Sequence, residues 1–383
     1  MIEKFKKHKT LILNIVLIVL GVVVLVWAGI EFKIHANYET TYVIRDGIEV
    51  ENLSKYSPNL KRTSADSEIY ILRGNQPGPS VLIIGGTHPN EPSSNLTATL
   101  LLENIEVEKG TVFIITEGNG SAMANTFPQE GTRQFYEIET PFGSRKFKFG
   151  SRATSFTDQW PNPEIYVHPQ SDQKLSSGDA GNLNRAYPGV KNGTITEQIA
   201  YGIIELIKQN DITITIDLHE ASPEYLTNNA IVSHDNAVAM DIAAKAFLTL
   251  EFQGITIKAE TSPKNLRGLT HREIGDYTNS LAFLLETSNA SQGRLRGAFT
   301  KDLIVTGEDK FYDKADELGL LFAAPVHINE RVARHTASIM AILKGFNETA
   351  MAVEKGTFVI NNVPSYDNII QNGVGYYLLD PNK

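Results

Sequence analysis

The sequence predicts an α/β fold, with strands and helices alternating around a mostly parallel or mixed central sheet flanked by helices and carried behind one N-terminal transmembrane helix. Three observations predict it. Residues 10–30 hold no charge and directly follow a basic cluster. Apolar, β-branched runs such as ITITIDLHE (212–220) and SLAFLLETS (280–288) alternate with stretches of helical spacing such as TEQIAYGIIELIKQN (196–210), the arrangement of crossover-connected strands. At 383 residues and 42% apolar content, the chain is long enough to bury a large core.

Residues 1–9 carry Lys4, Lys6, Lys7 and Lys9, and the uncharged run of 10–30 matches the length that crosses a bilayer core as a helix. The run is longer than a signal-peptide core, and WAGIEF offers no small-x-small cleavage site. It therefore reads as a single-pass anchor, with 1–9 a basic cytoplasmic tail and everything beyond the helix extracytoplasmic by the positive-inside rule. Residues 31–64 read as linker and surface loops, the folded unit starting near residue 40, and 65–383 as one catalytic domain.

Within that domain, EIYILRG (68–74) and VLIIGG (81–86) flank the turn NQPGPS and read as a strand pair. A helix is expected over 94–105 and a strand over 111–119. From 120 to 190 no period persists, and a stretch of that length inside a domain is either functional or disordered. Helices follow over 196–210, 235–250 and 328–346, with strands over 212–220 and 280–288.

The net charge is −9, with 31 basic against 43 acidic residues beyond position 30, which argues against a nucleic-acid partner. There is no cysteine, so a metal would have to be held by imidazole and carboxylate. In open sheets of this kind ligands bind beyond the carboxyl ends of the strands. Three strand ends supply suitable side chains: His88 and Glu91 after VLIIGG; Asp217, His219 and Glu220 closing ITITIDLHE; and Glu286 closing LAFLLE.

His88 and Glu91 form a two-ligand half-site presented by the Gly85-Gly86 turn, and His219 is the natural third ligand, leaving one position open as a catalytic zinc requires. Asp217 shares the His219 face and reads either as an orienting carboxylate for that imidazole or as a turn carboxylate. Glu220 falls on the opposite face, outside the site. Glu286 follows an unbroken apolar run, a setting that raises a carboxyl pKa towards that of a general base; a strand-end salt bridge is the other reading. Asn184 and Arg185, in GNLNRAYPG, suit a substrate carboxylate or a developing oxyanion, or belong to a solvated loop.

The ordered set GGTHPNE, NLNR, DLHE and LLET resembles the zinc carboxypeptidase superfamily, in particular its succinylglutamate desuccinylase/aspartoacylase branch, over residues 65–345. The resemblance implies a zinc-carboxypeptidase-like domain holding one Zn2+ on His88, Glu91 and His219, with Asn184 and Arg185 on the substrate carboxylate and Glu286 as catalytic base. Pro89 stands where that branch often has Gly. The resemblance also implies a second substrate-binding arginine, for which Arg152, Arg267, Arg272 and Arg294 are candidates. Tyr277 is a loose positional match to a mobile tyrosine, and His271 lines the pocket or lies in a charged surface loop. The function so expected is that of a zinc-dependent hydrolase cleaving an amide bond in a carboxylate-bearing substrate, as a deacylase of N-acyl amino acids or a metallocarboxypeptidase acting on peptides. The alternative is a non-catalytic metal-containing binding module on the membrane surface.

Overall fold

The structure is a computed structural model that describes residues 2–126 and 131–382, with side chains from residue 8 onward. The chain forms two units, Met1–Glu39 and Thr40–Lys383. The first is one α-helix, Ile2–Asn37. Its stretch His8–Asn37 is long and apolar enough to cross a membrane. At 1.5 Å per residue its 30 residues extend about 45 Å.

The second unit contains strands β1 (Glu49–Asn52), β2 (Glu68–Arg73), β3 (Gln76–Ile84), β4 (Glu106–Ile115), β5 (Phe135–Thr140), β6 (Gly143–Lys148), β7 (Ile165–Val167), β8 (Lys174–Ser176), β9 (Ile214–Ala221), β10 (Ala230–Ser233), β11 (Lys258–Thr261), β12 (Leu281–Ser288) and β13 (Val359–Asn361). Among the described residues nine strands form one mixed sheet in the order β1-β2-β4-β3-β9-β12-β10-β11, with β13 on β4. Its centre, β4-β3-β9-β12, is parallel, and antiparallel pairs flank it at β2-β4 and β12-β10.

All eight residues of β9 are buried because helices cover both faces, which is why the parallel strands read as near-continuous apolar runs. On one face Val81, Ile83, Ile214, Ile216, Leu218, Phe283 and Leu285 pack with residues of the helices Pro92–Asn104, Ala237–Phe252 and Ile328–Asn347. On the other, Leu82, Ile84 and Ala282 pack with residues of Ile195–Gln209 and with Ile274 of Thr270–Tyr277. Helix Ile195–Gln209 begins in a capping box, Thr194 accepting from the Glu197 N–H while the Glu197 carboxylate accepts from Thr194 N–H.

Two sequence expectations are corrected. β2 and β3 do not pair; β4 lies between them, antiparallel to one and parallel to the other. Pro77 and Pro79 carry no N–H, so the segment joining the two strands cannot zip back onto β2, and it runs as the irregular first half of β3. The stretch 120–190 is not structureless: it holds the short helix Gly120–Met123 and the antiparallel pairs β5-β6 and β7-β8, while residues 127–130 lie outside the described residues. Segment 31–64 contributes β1, and Leu53, Tyr56 and Leu60 are buried in the core of the larger unit.

Candidate metal centre

The parallel register builds the site. Ile84, the last residue of β3, pairs with Asp217, so the chain leaving β3 arrives beside the end of β9. On the other side of β9, Glu286 of β12 pairs directly with His219, and paired residues share a face. Asp217, His219 and Glu286 therefore project from the side of the sheet covered by the helix Thr270–Tyr277. The turn after β3 needs its glycines: Gly86 has φ +66°, and a Cβ on Gly85 would lie 2.7 Å from the Ser94 carbonyl oxygen.

His88, Glu91 and His219 are all buried, and one ligand atom from each lies within 4.8 Å of the others. His88 Nδ1 is 2.9 Å from Glu91 Oε1, His219 Nδ1 is 3.0 Å from Glu91 Oε2, and the two Nδ1 atoms are 3.2 Å apart. The opposite ring nitrogens are committed elsewhere. His88 Nε2 lies 2.8 Å from Asn182 Oδ1, and His219 Nε2 lies 2.7 Å from Asp217 Oδ2. Asn182 Oδ1 also accepts from Asn184 N–H, and Asp217 Oδ1 accepts from Thr87 Oγ1 at 2.7 Å.

When each Nε2–H is donated outward and Nδ1 is unprotonated, as metal binding requires, both Nδ1 atoms turn a lone pair to one point beside a carboxylate. Zn–N bonds of about 2.0–2.1 Å at tetrahedral angles place ligand nitrogens roughly 3.3 Å apart, close to the 3.2 Å found here. Two imidazoles, one carboxylate, no thiolate and fixed outer partners on both rings fit zinc.

The electrostatics follow from burial. His88 is pushed down to about 4 by burial and by the Arg152 cation. At His219 burial also opposes charge, but the Asp217 and Glu91 carboxylates outweigh it and raise the pKa well above the ordinary value. Burial disfavours ionised Glu91 too, yet the two imidazoles hold it well below the usual carboxylate range. Burial lifts Glu286 up to about 8, against the pull of His219 and with a further push from Glu91. Glu286 Oε2 is buried and has no hydrogen-bond partner among the described residues, so the salt bridge considered for it is not formed at that oxygen.

Asn184 and Arg185 occupy a short 3₁₀ turn, Leu183–Arg185. Asn184 Oδ1 accepts from Thr270 N–H and Thr270 Oγ1, so that amide oxygen braces the helix Thr270–Tyr277. Arg185 lies among other charges: burial and the neighbouring Arg152 lower its pKa, and the opposing pull of Asp179, Tyr225 and Glu286 does not restore it. Among the candidate second arginines, Arg152 is the one held at the candidate metal ligands, with Nη1 2.9 Å from Glu91 Oε1. Arg267 is bound to Glu273 and Asp276, Arg272 sits 3.6 Å from Asp276, and the backbone of Arg294 is fixed by Glu224.

Two further readings change. Tyr277 shares a cavity of about 460 Å³ with Ile207, Lys208, Asp211 and Ile212, which precede β9, and so lies at the end of that strand opposite His219. His271 is not in a surface loop: it is buried in the helix Thr270–Tyr277, neither ring nitrogen has a hydrogen-bond partner among the described residues, and burial pushes its pKa to about 3. Sequence reasoning missed Asn182, which fixes the His88 ring, although it lies in the same GNLNR motif. It also missed Thr87, next to His88. Asp217 takes the orienting position at His219.

No protein-family model matches the chain, and no curated protein sequence matches it. Solved structures similar to it include a succinylglutamate desuccinylase/aspartoacylase from Rhodobacter sphaeroides (16% identity, 84% of this chain and 69% of that one, TM-score 0.42). Also similar are a succinylglutamate desuccinylase from Silicibacter sp. (14%, 60% and 55%, 0.36) and the apo cell shape determinant protein Csd4 of Helicobacter pylori (13%, 74% and 55%, 0.44). The chain spans 55% of the length of each of the last two.

Proposed function

We propose that this protein is a membrane-anchored, zinc-dependent hydrolase that cleaves an amide bond in a carboxylate-bearing substrate. The observation that carries the reading is the convergence of His88 Nδ1, His219 Nδ1 and the Glu91 carboxylate, on the face and register position that also presents Glu286. When bound, zinc supplies Lewis acidity towards a carbonyl and acidifies water. Glu286 is the base. Its buried, unpartnered Oε2 takes a proton from the attacking water and returns it to the departing nitrogen, so the carboxyl starts and ends each cycle in the same state.

Arg185 holds the substrate carboxylate, and Asn184 fixes the turn that presents it. Arg152 adds a second positive charge at the metal ligands and favours an anionic substrate. Asn182 and Asp217 keep the two imidazoles in the tautomer that points Nδ1 inward. The helix His8–Asn37 serves as the anchor, with the Lys-rich tail cytoplasmic and the catalytic unit outside.

The test is hydrolysis by the full chain in detergent against a panel of N-acyl amino acids and a panel of peptides. Zinc-dependent release of free amine from one panel supports the reading and names the substrate class. Glu286→Gln should retain zinc and lose at least about a hundredfold in kcat; near-wild-type turnover in that variant removes Glu286 from the role. Zinc retention without hydrolysis of either panel favours a binding module instead.

A further inference from the structure

We infer that Arg331 and Glu220 are positioning residues for the metal centre, a buried ion pair on the reverse face of the sheet that fixes the ligand Glu91 in place. The inference rests on reading His88, Glu91 and His219 as metal ligands.

Glu220 follows His219 in β9 and so points to the opposite face, where its strand neighbours Ile214, Ile216 and Leu218 are core residues. A carboxylate in that row is costly unless fully partnered. Its partners come from three separate elements. Arg331 Nη1, on the helix Ile328–Asn347, donates to Oε1 at 2.7 Å, with both side chains fully buried. Ser93 N–H, in the first turn of the helix Pro92–Asn104, donates to Oε2 at 3.1 Å, and Asn289 Nδ2, just past the end of β12, donates to Oε2 at 3.0 Å. These elements lead directly to the site: Ser93 is two residues from Glu91, and Asn289 is three from Glu286.

The connection to the ligand is direct. The backbone N–H of Glu220 donates to Glu91 Oε2 at 2.9 Å, the same oxygen that faces His219 Nδ1. A shift of Glu220 therefore moves a hydrogen bond on the ligand carboxylate and, through Ser93, the turn that carries it. The helix grips the same dipeptide twice. His335, one turn beyond Arg331, places Nε2 3.0 Å from the His219 carbonyl oxygen, and Arg331 Nη2 is tied to the Ile304 carbonyl.

The experiment measures zinc affinity of the full chain in detergent by competition with a chromogenic chelator, with thermal unfolding of the same samples. The unsubstituted chain and His88→Ala establish the ligand reading first. Failure of the unsubstituted chain to bind zinc overturns that reading and this inference with it. Arg331→Met combined with Glu220→Gln should then weaken zinc binding by about 10–100-fold, the usual cost of losing an outer partner. The control is Arg145→Met with Glu103→Gln, a comparably buried pair 2.8 Å apart at the far end of the helix Pro92–Asn104. It should lower the unfolding temperature without changing zinc affinity. Unchanged affinity in the Arg331/Glu220 variant, or an equal loss in the control, overturns this inference while leaving the ligand reading intact. Should the double variant fail to fold, Arg331→Lys keeps the charge but cannot hold Glu220 and the Ile304 carbonyl together. A several-fold weaker zinc affinity supports the inference, and wild-type affinity contradicts it.

Discussion

The two faces of β9 use the same strand for different ends. On one, Thr215, Asp217 and His219 run into the candidate metal centre; on the other, Ile214, Ile216 and Leu218 are core and the row closes on the Glu220–Arg331 pair. Adjacent residues thus carry opposite chemistry, with His219 turning Nδ1 to a shared point and Glu220 accepting from the Arg331 guanidinium, the Asn289 side-chain amide and the Ser93 N–H. The difference teaches that one face can be tuned for metal affinity and the other for rigidity, because a period of two keeps their side chains apart.

Substitutions on the two faces should therefore separate stability from metal binding. The largest stability effect is expected on the core face. Ile216→Ala removes a fully buried side chain and should cost about 2–5 kcal/mol in denaturant unfolding, with zinc affinity of the folded fraction unchanged; a parallel loss of affinity would break the separation. One residue along, Asp217→Asn should do the reverse. It removes the charge that fixes His219 Nε2 and should weaken zinc by about 10–100-fold, roughly 1.4–2.7 kcal/mol, in chelator competition; equal affinity would mean that the carboxylate has no orienting role.

The last effect is a pH slope. Burial holds His335 down to about 3 and His88 to about 4, below an ordinary 6.5. A histidine whose folded pKa is depressed stays neutral while the unfolded chain takes up a proton, so its contribution is full above pH 6.5 and is lost as pH falls towards the folded value. Glu286 runs the other way: held up to about 8 from 4.5, it lowers stability as pH rises between those values. In chelator, unfolding midpoints should fall as pH drops from 6.5 towards 4, and His335→Gln should flatten that fall. An unchanged slope in the variant would show that His335 is not titrating with folding.

What the sequence made legible was local. The ends of β3, β9 and β12 each close an apolar run with a polar side chain, so His88, Glu91, His219 and Glu286 could be collected before any register was known, and parallel pairing then placed Glu286 beside His219. The central helices and strands were readable for the same reason, since burial on both faces leaves unbroken apolar runs. Long-range facts were not. Nothing near residue 220 announces Arg331, 111 residues away, because a buried ion pair has no periodicity. The insertion of β4 between β2 and β3 was hidden by a Pro-Gly segment that resembles a hairpin turn. The β5-β6 and β7-β8 pairs were missed because short, exposed-edged strands carry weak alternation, such as the pattern of β7 with only Tyr166 buried. Asn182 shared a motif with Asn184 and Arg185, yet its contact with His88 depends on how that loop folds back over the sheet edge.

The central claim is that His88, Glu91 and His219 form a metal centre served by Glu286. Metal analysis of the purified full chain, beside its Glu286→Gln and His219→Ala variants, tests it most directly. The account predicts about one zinc per chain in the unsubstituted protein and in Glu286→Gln, and none in a folded His219→Ala. Zinc retained by His219→Ala, or absent from the unsubstituted chain after zinc loading, would contradict it.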